Sequence, residues 1–293
     1  MPMAARVLSL QSHTVHGHVG NRSAVFPLQL LGLEVDAINT VQFSNHTGYA
    51  KFRGKPLSGG ELEDLISGLR ENGLLDHTHV LTGYMRSVEC MGACLSTVDE
   101  LRRTKPETVY VCDPVLGDDG KLYVPEELVP YYKKEVLHRA SLLLPNQFEL
   151  ETLSGVTLAS EADVWRGIDV LHQMGVPAVV VSSTHFNGDD VIAVFGSDQT
   201  GRFQISIPKL PMSFVGTGDL FAALMLAWMS RPGVQLSAAA ENSVATLQAV
   251  LRTTMEHANS TGHPEAPRAK ELKLIQSAHD IMHPTVECVA RKC

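Results

Sequence analysis

The sequence has few of the features typical of proteins that bind nucleic acids or membrane surfaces. Basic residues are in the minority, since 24 Lys and Arg face 32 Asp and Glu and give a net charge of −8. Nucleic acids and anionic membranes both need a basic footprint, so neither is expected as a partner. A small anionic ligand is not excluded, because it needs only a locally positive pocket.

Long apolar runs and a cysteine framework are also lacking. No run reaches the length of about 20 residues that spans a bilayer, and the first residues lead straight into a predicted strand, so we expect neither a membrane span nor a signal peptide. The five cysteines are odd in number and have no repeated spacing, which does not match a disulfide framework. Cys90 and Cys94 lie one helical turn apart and are expected to be structural thiols. These features favour a reducing, cytoplasmic location.

The pattern of apolar residues predicts an α/β fold. Hydrophobic residues make up 44% of the chain and charged residues 19%, as in a folded protein with a large core. Short β-rich runs are predicted as strands at 6–11, 35–39, 79–82, 109–112, 141–144, 178–182, 191–195 and 203–207. Amphipathic stretches are predicted as helices at 22–31, 60–72, 87–104, 127–139, 161–174, 218–229 and 238–257. This alternation predicts a mostly parallel sheet with helices on both faces.

No linker rich in Pro, Gly or Ser divides the chain, so we expect one domain over residues 1–293 with a C-terminal tail from about 280. The stretch from Ala269 is predicted to be a helix followed by that tail, with little chemical content. The polar segments 52–60, 117–121 and 186–190 follow predicted strands. Each is either a lid over a site or a plain surface connection.

Polar side chains cluster where predicted strands end. In open parallel sheets, ligands bind beyond the carboxyl ends of the strands. Five strand ends carry hydroxyl, amide or carboxylate groups, including Ser12, Tyr84, Asp113, Asn146 and Ser182. Turn chemistry alone does not account for five such ends, so we expect a site at this edge.

The segment Phe214-Val215-Gly216-Thr217-Gly218-Asp219 precedes an unbroken apolar run and so predicts a helix N-terminus. Unpaired backbone N–H groups and the positive dipole end make such a terminus an anion site. Asp219 is then either a capping residue or a base that faces the group to which the anion is bonded. The helix dipole is expected to lower its pKa. A simply capped core helix is the alternative.

Carboxylates at two other strand ends suggest a divalent metal. Asp113 and Asp118 flank a proline-fixed loop, and Mg²⁺ prefers a few carboxylates together with water and nucleotide phosphates. Asp, Pro and Gly are also common turn formers, which is the alternative. Asn146 and Glu149 form a candidate capping box, and Glu149 could also reach the metal's water shell.

Two loops suggest an aromatic ligand. His13, His16 and His18 invite a metal hypothesis, but their spacing and the lack of a nearby carboxylate favour a loop folded over an uncharged or aromatic substrate. The segment 43–49 mixes aromatic faces with hydrogen-bond donors and suits a small heteroaromatic ring.

Together these motifs resemble the ribokinase-like superfamily and, within it, the pyridoxal kinases. The resemblance extends from Arg6 to about Asp280 and is carried by residues 6–13, 41–50, 81–84, 110–118, 145–149 and 214–223. It implies a single-domain ribokinase-like fold and ATP-dependent phosphorylation of the 5′-hydroxymethyl group of pyridoxal, and also of pyridoxine and pyridoxamine. It also implies a cytosolic homodimer.

The resemblance further implies roles for individual residues. Asp219 would be the base, and Gly216, Thr217 and Gly218 would form the anion hole. Vitamin-binding positions are Ser12, Val19, Val41, Phe43, His46, Thr47, Tyr84 and Asp219. ATP-binding positions are Asp113, Asp118, Tyr123, Asn146, Glu149, Ser182, Ser183, Phe214, Thr217 and Gly218. Asp113, Asp118 and Glu149 would hold a divalent metal, Mg²⁺ or Zn²⁺, that accompanies ATP.

The sequence departs from the family pattern at several positions. Leu144 stands where the family usually has a Thr whose hydroxyl helps around a monovalent cation, K⁺ or Na⁺, so weaker cation activation is expected. The loops 117–122 and 186–202 are shortened against the animal enzymes. A hydroxymethylpyrimidine-type kinase is one alternative, although residues 209–213 lack the Cys that such enzymes usually carry there. A weakly active or non-catalytic binder of vitamer and ATP is the other.

Overall fold

The fold is built on one large, mostly parallel sheet. The protein is represented by a computed structural model that describes residues 5–186 and 190–293; residues 187–189, in the predicted lid 186–190, lie outside the described residues. The strands found in these ranges are β1 (Arg6–Thr14), β2 (Glu34–Phe43), β3 (Gly54–Pro56), β4 (His79–Thr82), β5 (Val109–Cys112), β6 (Gly117–Asp118), β7 (Lys121–Leu122), β8 (Leu142–Leu143), β9 (Val179–Thr184), β10 (Val191–Asp198), β11 (Gly201–Pro208) and β12 (Arg291–Lys292).

The sheet order, over the same ranges, is β12-β11-β10-β9-β8-β5-β4-β1-β2-β3, and β6 and β7 form a separate hairpin. The six strands from β9 to β2 are mutually parallel, whereas the strands at both edges pair antiparallel. The carboxyl ends of the parallel strands therefore meet at one edge, as the sequence predicts.

Helices cover both faces of the sheet. They are α1 (Asn21–Leu30), α2 (Gly59–Glu71), α3 (Val88–Thr104), α4 (Leu128–Tyr131), α5 (Gln147–Ser154), α6 (Glu161–Gln173), α7 (Thr217–Met229), α8 (Leu236–Ser260) and α9 (Ala278–Met282). One apolar layer lies under α2 to α6 and the other under α1, α7, α8 and α9. In β9, Val179 and Val181 face the first layer and Val180 the second. A strand buried on both faces accounts for its continuous apolar run.

Helix α7 lies in the core and presents its N-terminus at the carboxyl edge of the sheet. Every residue from Leu220 to Trp228 is buried, so the helix is apolar all round. It begins directly after Gly216, whose φ of 84° is in the left-handed region that glycine adopts without strain. The glycine therefore lets the chain turn sharply into the helix.

Two helix predictions are wrong in detail. The predicted helix 127–139 begins as α4 but continues as a π-helix (Tyr132–Val136) and a 3₁₀ turn (Leu137–Arg139). The predicted helix from Ala269 is a 3₁₀ turn (Pro267–Lys270), followed by an isolated β-bridge at Glu271 and a turn over 274–277 before α9. Leu272 and Leu274 are both buried in the layer around α7, so tertiary packing outweighs local helix propensity there.

The C-terminal tail and the two thiols of α3 have defined places in the fold. The end of the predicted tail pairs with β11 as strand β12, while the predicted domain limits stay a prediction. Cys90 and Cys94 are buried, free thiols on α3. Of the helices in the described ranges, none combines the length and the apolar character needed to cross a bilayer.

Candidate active site

The N-terminus of α7 lies in close contact with the loop after β1 and with the end of β5. A methyl group added to Gly216 would collide with the carbonyl oxygen of His18 and reach within 3.4 Å of Val19 Cγ1. A methyl group added to Gly218 would lie 3.7 Å from Asp113 Oδ2. The Ser23 hydroxyl donates to the Gly216 carbonyl oxygen at 3.1 Å. The backbone of the predicted anion hole therefore faces the carboxylate at the end of β5.

Three carboxyl groups meet at this edge: Asp113 directly after β5, Glu149 on α5 and Asp219 on α7. Asp113 and Glu149 are 5% and 3% exposed. Burial, and then the charges of Glu149 and Asp219, raise the pKa of Asp113 well above its usual value. Its buried Oδ2 atom has no hydrogen-bond partner among the described residues. An unpaired buried carboxylate oxygen marks a place where a cation or proton is needed.

Glu149 serves two structural contacts at once. Its Oε2 atom accepts from the Asn146 backbone N–H at 2.8 Å, and the Asn146 side chain accepts from the Glu149 N–H, which confirms the predicted capping box. Its Oε1 atom accepts from the Leu116 N–H at 2.9 Å. Burial nevertheless raises the pKa of Glu149 to about 8. The group is held in place but remains poorly compensated for its charge.

The predicted lowering of the Asp219 pKa is wrong. Burial raises the pKa of Asp219 to about 6, and the backbone N–H of Gly20 opposes this only in part. The residue as a whole is half-buried. Desolvation therefore outweighs the helix dipole. A carboxyl that titrates near 6 is ionised at neutral pH and is well matched to accept a proton.

The acidic groups fit a divalent ion that shares its ligands with phosphates and water. Over the part of the chain that the structure describes, no group of three or more His, Cys, Asp or Glu side chains forms a ready metal cage, and this includes His13, His16 and His18. The unpaired Asp113 Oδ2 atom and the nearby Glu149 instead offer a few carboxylate oxygens. Mg²⁺ keeps several waters and binds through one or two carboxylates plus substrate phosphates. The residues therefore fit the implied metal.

Several residues expected to hold the vitamin lie near the loop after β1. Ser12 pairs with Val41 across β1 and β2, just past a register shift after Gln11. The Phe43 ring packs 5.1 Å from Phe52. The remaining positions are Val19 beside Gly216, Tyr84 just after β4, His46 within the β2–β3 loop and Thr47, which is exposed on that loop.

Several residues expected to bind nucleotide lie in the hairpin after β5 and at β8 and β9, on the other side of β5 from β4, β1 and β2 in the sheet order. Asp118 and Tyr123 are exposed on and after the β6–β7 hairpin. The Asn146 side chain donates to the Gly117 carbonyl oxygen at 2.8 Å and so joins this hairpin to α5. The Tyr84 hydroxyl donates to the Tyr123 carbonyl oxygen at 3.4 Å, which links the two sides of the site.

The other expected nucleotide positions lie at the ends of β8 and β9 and before α7. Ser182 donates through its backbone N–H to the Pro145 carbonyl oxygen at 2.9 Å, and Ser183 is half-buried beside it. Phe214 packs on the apolar layer around α7. Leu144 is 3% exposed in the same layer, so its side chain offers no hydroxyl at this strand end.

Sequence reasoning missed Glu271. This buried carboxylate accepts from the His18 backbone N–H at 3.0 Å and from the Tyr49 hydroxyl at 3.3 Å, and its Oε1 atom lies 3.4 Å from His46 Nε2. The expectation of little chemical content after Ala269 is therefore wrong. The available signal was a single carboxylate next to the apolar alternation of Leu272 and Leu274.

Comparison with known proteins assigns the chain to a family. A family model described as phosphomethylpyrimidine kinase matches residues 75–265. A protein of Arabidopsis thaliana named pyridoxal kinase is 50% identical over 98% of this chain and 94% of its own length. This chain belongs to the pyridoxal kinase family.

Other members of the pyridoxal kinase family agree with this assignment. Human pyridoxal kinase is 43% identical over 98% of both chains. The solved structure of pyridoxal kinase from Leishmania donovani in complex with ADP and pyridoxamine has a TM-score of 0.91 and 35% identity, and the match covers 98% of this chain and 99% of that one. The expected ribokinase-like, single-domain α/β fold is confirmed.

Proposed function

We propose that this protein transfers the γ-phosphoryl group of ATP to the 5′-hydroxymethyl oxygen of pyridoxal, pyridoxine or pyridoxamine. For pyridoxal the products are pyridoxal 5′-phosphate and ADP. The observation that carries the proposal is the meeting of Asp219, the N-terminus of α7 and Asp113 at one sheet edge. The family relatives support the substrate, since solved Leishmania donovani structures hold ADP with pyridoxamine or pyridoxine.

The chemistry is mainly positioning and charge stabilisation, because phosphoryl transfer needs little covalent help from protein groups. Backbone N–H groups of Gly216, Thr217 and Gly218 would stabilise the charge that develops on the transferred phosphoryl oxygens. Asp219 would orient the acceptor hydroxyl and take its proton. With a pKa of about 6 it is ionised at pH 7 yet basic enough for this role.

The two substrates would lie on opposite sides of Asp219. The vitamin would occupy the side that carries Ser12, Val19, Val41, Phe43, His46, Thr47 and Tyr84. The nucleotide would occupy the side that carries Asp113, Asp118, Tyr123, Asn146, Glu149, Ser182, Ser183, Phe214, Thr217 and Gly218. The hydrogen bond from Tyr84 to Tyr123 supports a site in which the vitamin side and the nucleotide side adjoin.

A divalent metal, Mg²⁺ or Zn²⁺, would be held by Asp113, Glu149 and Asp118 together with the phosphates of ATP. When bound, it supplies positive charge to the transferring phosphoryl group. A monovalent cation, K⁺ or Na⁺, would have at most a weak effect, since the Leu144 side chain offers no oxygen. A cytosolic homodimer is also proposed, on family membership.

A second candidate function is phosphorylation of a hydroxymethylpyrimidine. The description of the matching family model favours it. Residues 209–213 contain no Cys beside the glycine motif, and the full-length relatives are named pyridoxal kinase, which favours pyridoxal.

The test is ADP formation from Mg²⁺–ATP with pyridoxal or hydroxymethylpyrimidine as acceptor, in the presence and absence of K⁺. We expect turnover with pyridoxal and little change on adding K⁺. Turnover with hydroxymethylpyrimidine alone would support the second candidate. ATP and pyridoxal binding without ADP formation would mean a non-catalytic binder.

A further inference from the structure

We infer that Glu271 is a positioning residue that holds the vitamin side of the site against the phosphate side. The inference rests on the proposed function. Glu271 is remote in sequence from every motif of the site, yet its carboxylate contacts two of the loops proposed to hold the vitamin. Its backbone also contacts the segment that leads into α7.

The first contact fixes the loop after β1. Glu271 Oε2 accepts from the His18 backbone N–H at 3.0 Å. A methyl group added to Gly17 would collide with both carboxylate oxygens, so the loop backbone lies directly on the carboxylate. The neighbouring Val19 is proposed to touch the vitamin, and the His18 carbonyl oxygen abuts Gly216. A shift of this loop would therefore move a wall of the vitamin pocket.

The second contact fixes the loop between β2 and β3. Glu271 Oε1 accepts from the Tyr49 hydroxyl at 3.3 Å and lies 3.4 Å from His46 Nε2. The His46 and Tyr49 rings meet edge to face with centroids 4.7 Å apart. The carboxylate thus binds the Tyr49 hydroxyl and lies against the His46 ring, and His46 is proposed to line the vitamin pocket.

The third contact joins these loops to the phosphate side. Val215 and Glu271 form a parallel β-bridge, and the Val215 N–H donates to the Lys270 carbonyl oxygen at 3.2 Å. Val215 immediately precedes Gly216. One residue therefore links both vitamin loops to the backbone that would receive the phosphoryl group.

The electrostatics indicate that Glu271 is fully engaged. Burial raises its pKa, but the adjacent His46 ring and hydrogen bonds from the His18 N–H and the Tyr49 hydroxyl outweigh this and leave the pKa below its ordinary value. Burial and the adjacent carboxylate raise the pKa of Tyr49 to about 12. An ionised carboxylate that accepts hydrogen bonds from both loops acts as an anchor between them.

The test compares Glu271→Gln with Glu265→Gln. The first variant keeps the shape of the side chain but replaces one acceptor oxygen by a donor, whereas Glu265 is 88% exposed in a surface ion pair. For Glu271→Gln we expect the KM for pyridoxal to rise about tenfold, the size expected for one lost charged hydrogen bond. The kcat and the KM for ATP should stay within about twofold. Glu265→Gln should match wild type.

A second variant separates positioning from folding. Tyr49→Phe keeps the ring packing and should raise the KM for pyridoxal in wild type but add little in the Glu271→Gln background, because both changes remove the same contact. An unchanged KM for pyridoxal in Glu271→Gln would overturn the inference. So would a general defect, in which kcat and the melting temperature fall and the KM values for pyridoxal and ATP both rise. Calorimetry of pyridoxal binding to wild type and to Glu271→Gln gives the same comparison without turnover. An inactive wild type that still binds pyridoxal would therefore count against the proposed function and not against the role of Glu271.

Discussion

Two buried carboxylate regions lie within one site and differ in how their charge is compensated. Asp113 and Glu149 have raised pKa values because burial and the charges of neighbouring carboxylates outweigh any hydrogen bonds that they accept. Glu271 has a lowered pKa because three groups of the vitamin loops surround it. The first arrangement costs stability and fits the proposed binding of a metal ion and phosphates, whereas the second fits the proposed anchoring of the loops. The sign of the pKa shift thus distinguishes the carboxyl groups proposed to act in phosphoryl transfer from the one proposed to anchor the loops.

The largest effect is expected from removing the proposed base. Asp219→Asn should lower kcat about a thousandfold with little change in KM, because proton transfer and orientation act in the transition state. Steady-state kinetics at saturating Mg²⁺–ATP measures this. Asp64→Asn, an exposed residue of α2, is the matched control. Near-normal turnover of Asp219→Asn would remove the assigned role.

A smaller loss of activity, coupled to a gain in stability, is expected at Asp113. Asp113→Asn should lower kcat/KM for Mg²⁺–ATP about a hundredfold, because it weakens charge stabilisation of the phosphoryl group. It should also raise the melting temperature of the metal-free protein by about 2 °C, since it removes a repelling charge. Calorimetry without metal tests the second effect. A fall in melting temperature would mean that Asp113 has a partner that its unpaired Oδ2 atom does not indicate.

The free energy of unfolding of the protein should depend on pH through Asp219. The Asp219 pKa is about 6 in the folded protein against an ordinary value of 3.8, so the folded state binds more protons between these values. The wild-type free energy of unfolding therefore loses this contribution as pH rises through that window. Asp219→Asn does not titrate, so its stability relative to wild type should increase from pH 4 to 6 and then level off. Urea unfolding across this pH range measures the difference in free energy of unfolding between Asp219→Asn and wild type, with Asp64→Asn as the control. A difference that stays constant with pH would contradict this prediction.

The smallest effect on activity is expected at Leu144. Leu144→Thr restores a hydroxyl to the layer around α7 and should increase stimulation by K⁺ about twofold, while burying an unpaired hydroxyl costs about 1–3 kcal/mol of stability. Turnover with and without K⁺ gives the first result and urea unfolding the second. Strong K⁺ activation of the wild type would contradict the view that this side chain weakens the cation site.

The phosphate side was predictable because its groups lie in short local motifs. The glycines before α7, Asp113 after β5 and the capping box of Asn146 and Glu149 each follow from a few adjacent residues. Glu271 was not predictable in this way, because it meets His18 across 253 residues and Tyr49 across 222. The raised Asp219 pKa was missed for the same reason, since its desolvation comes from packing that the local sequence does not specify.

The pH dependence of kcat/KM for pyridoxal at saturating Mg²⁺–ATP tests the central assignment most directly. Wild type should lose activity below about pH 6 as Asp219 becomes protonated, and the residual activity of Asp219→Asn should lack that limb. A wild-type profile that is flat from pH 5 to 8, or a limb that persists in Asp219→Asn, would contradict the account.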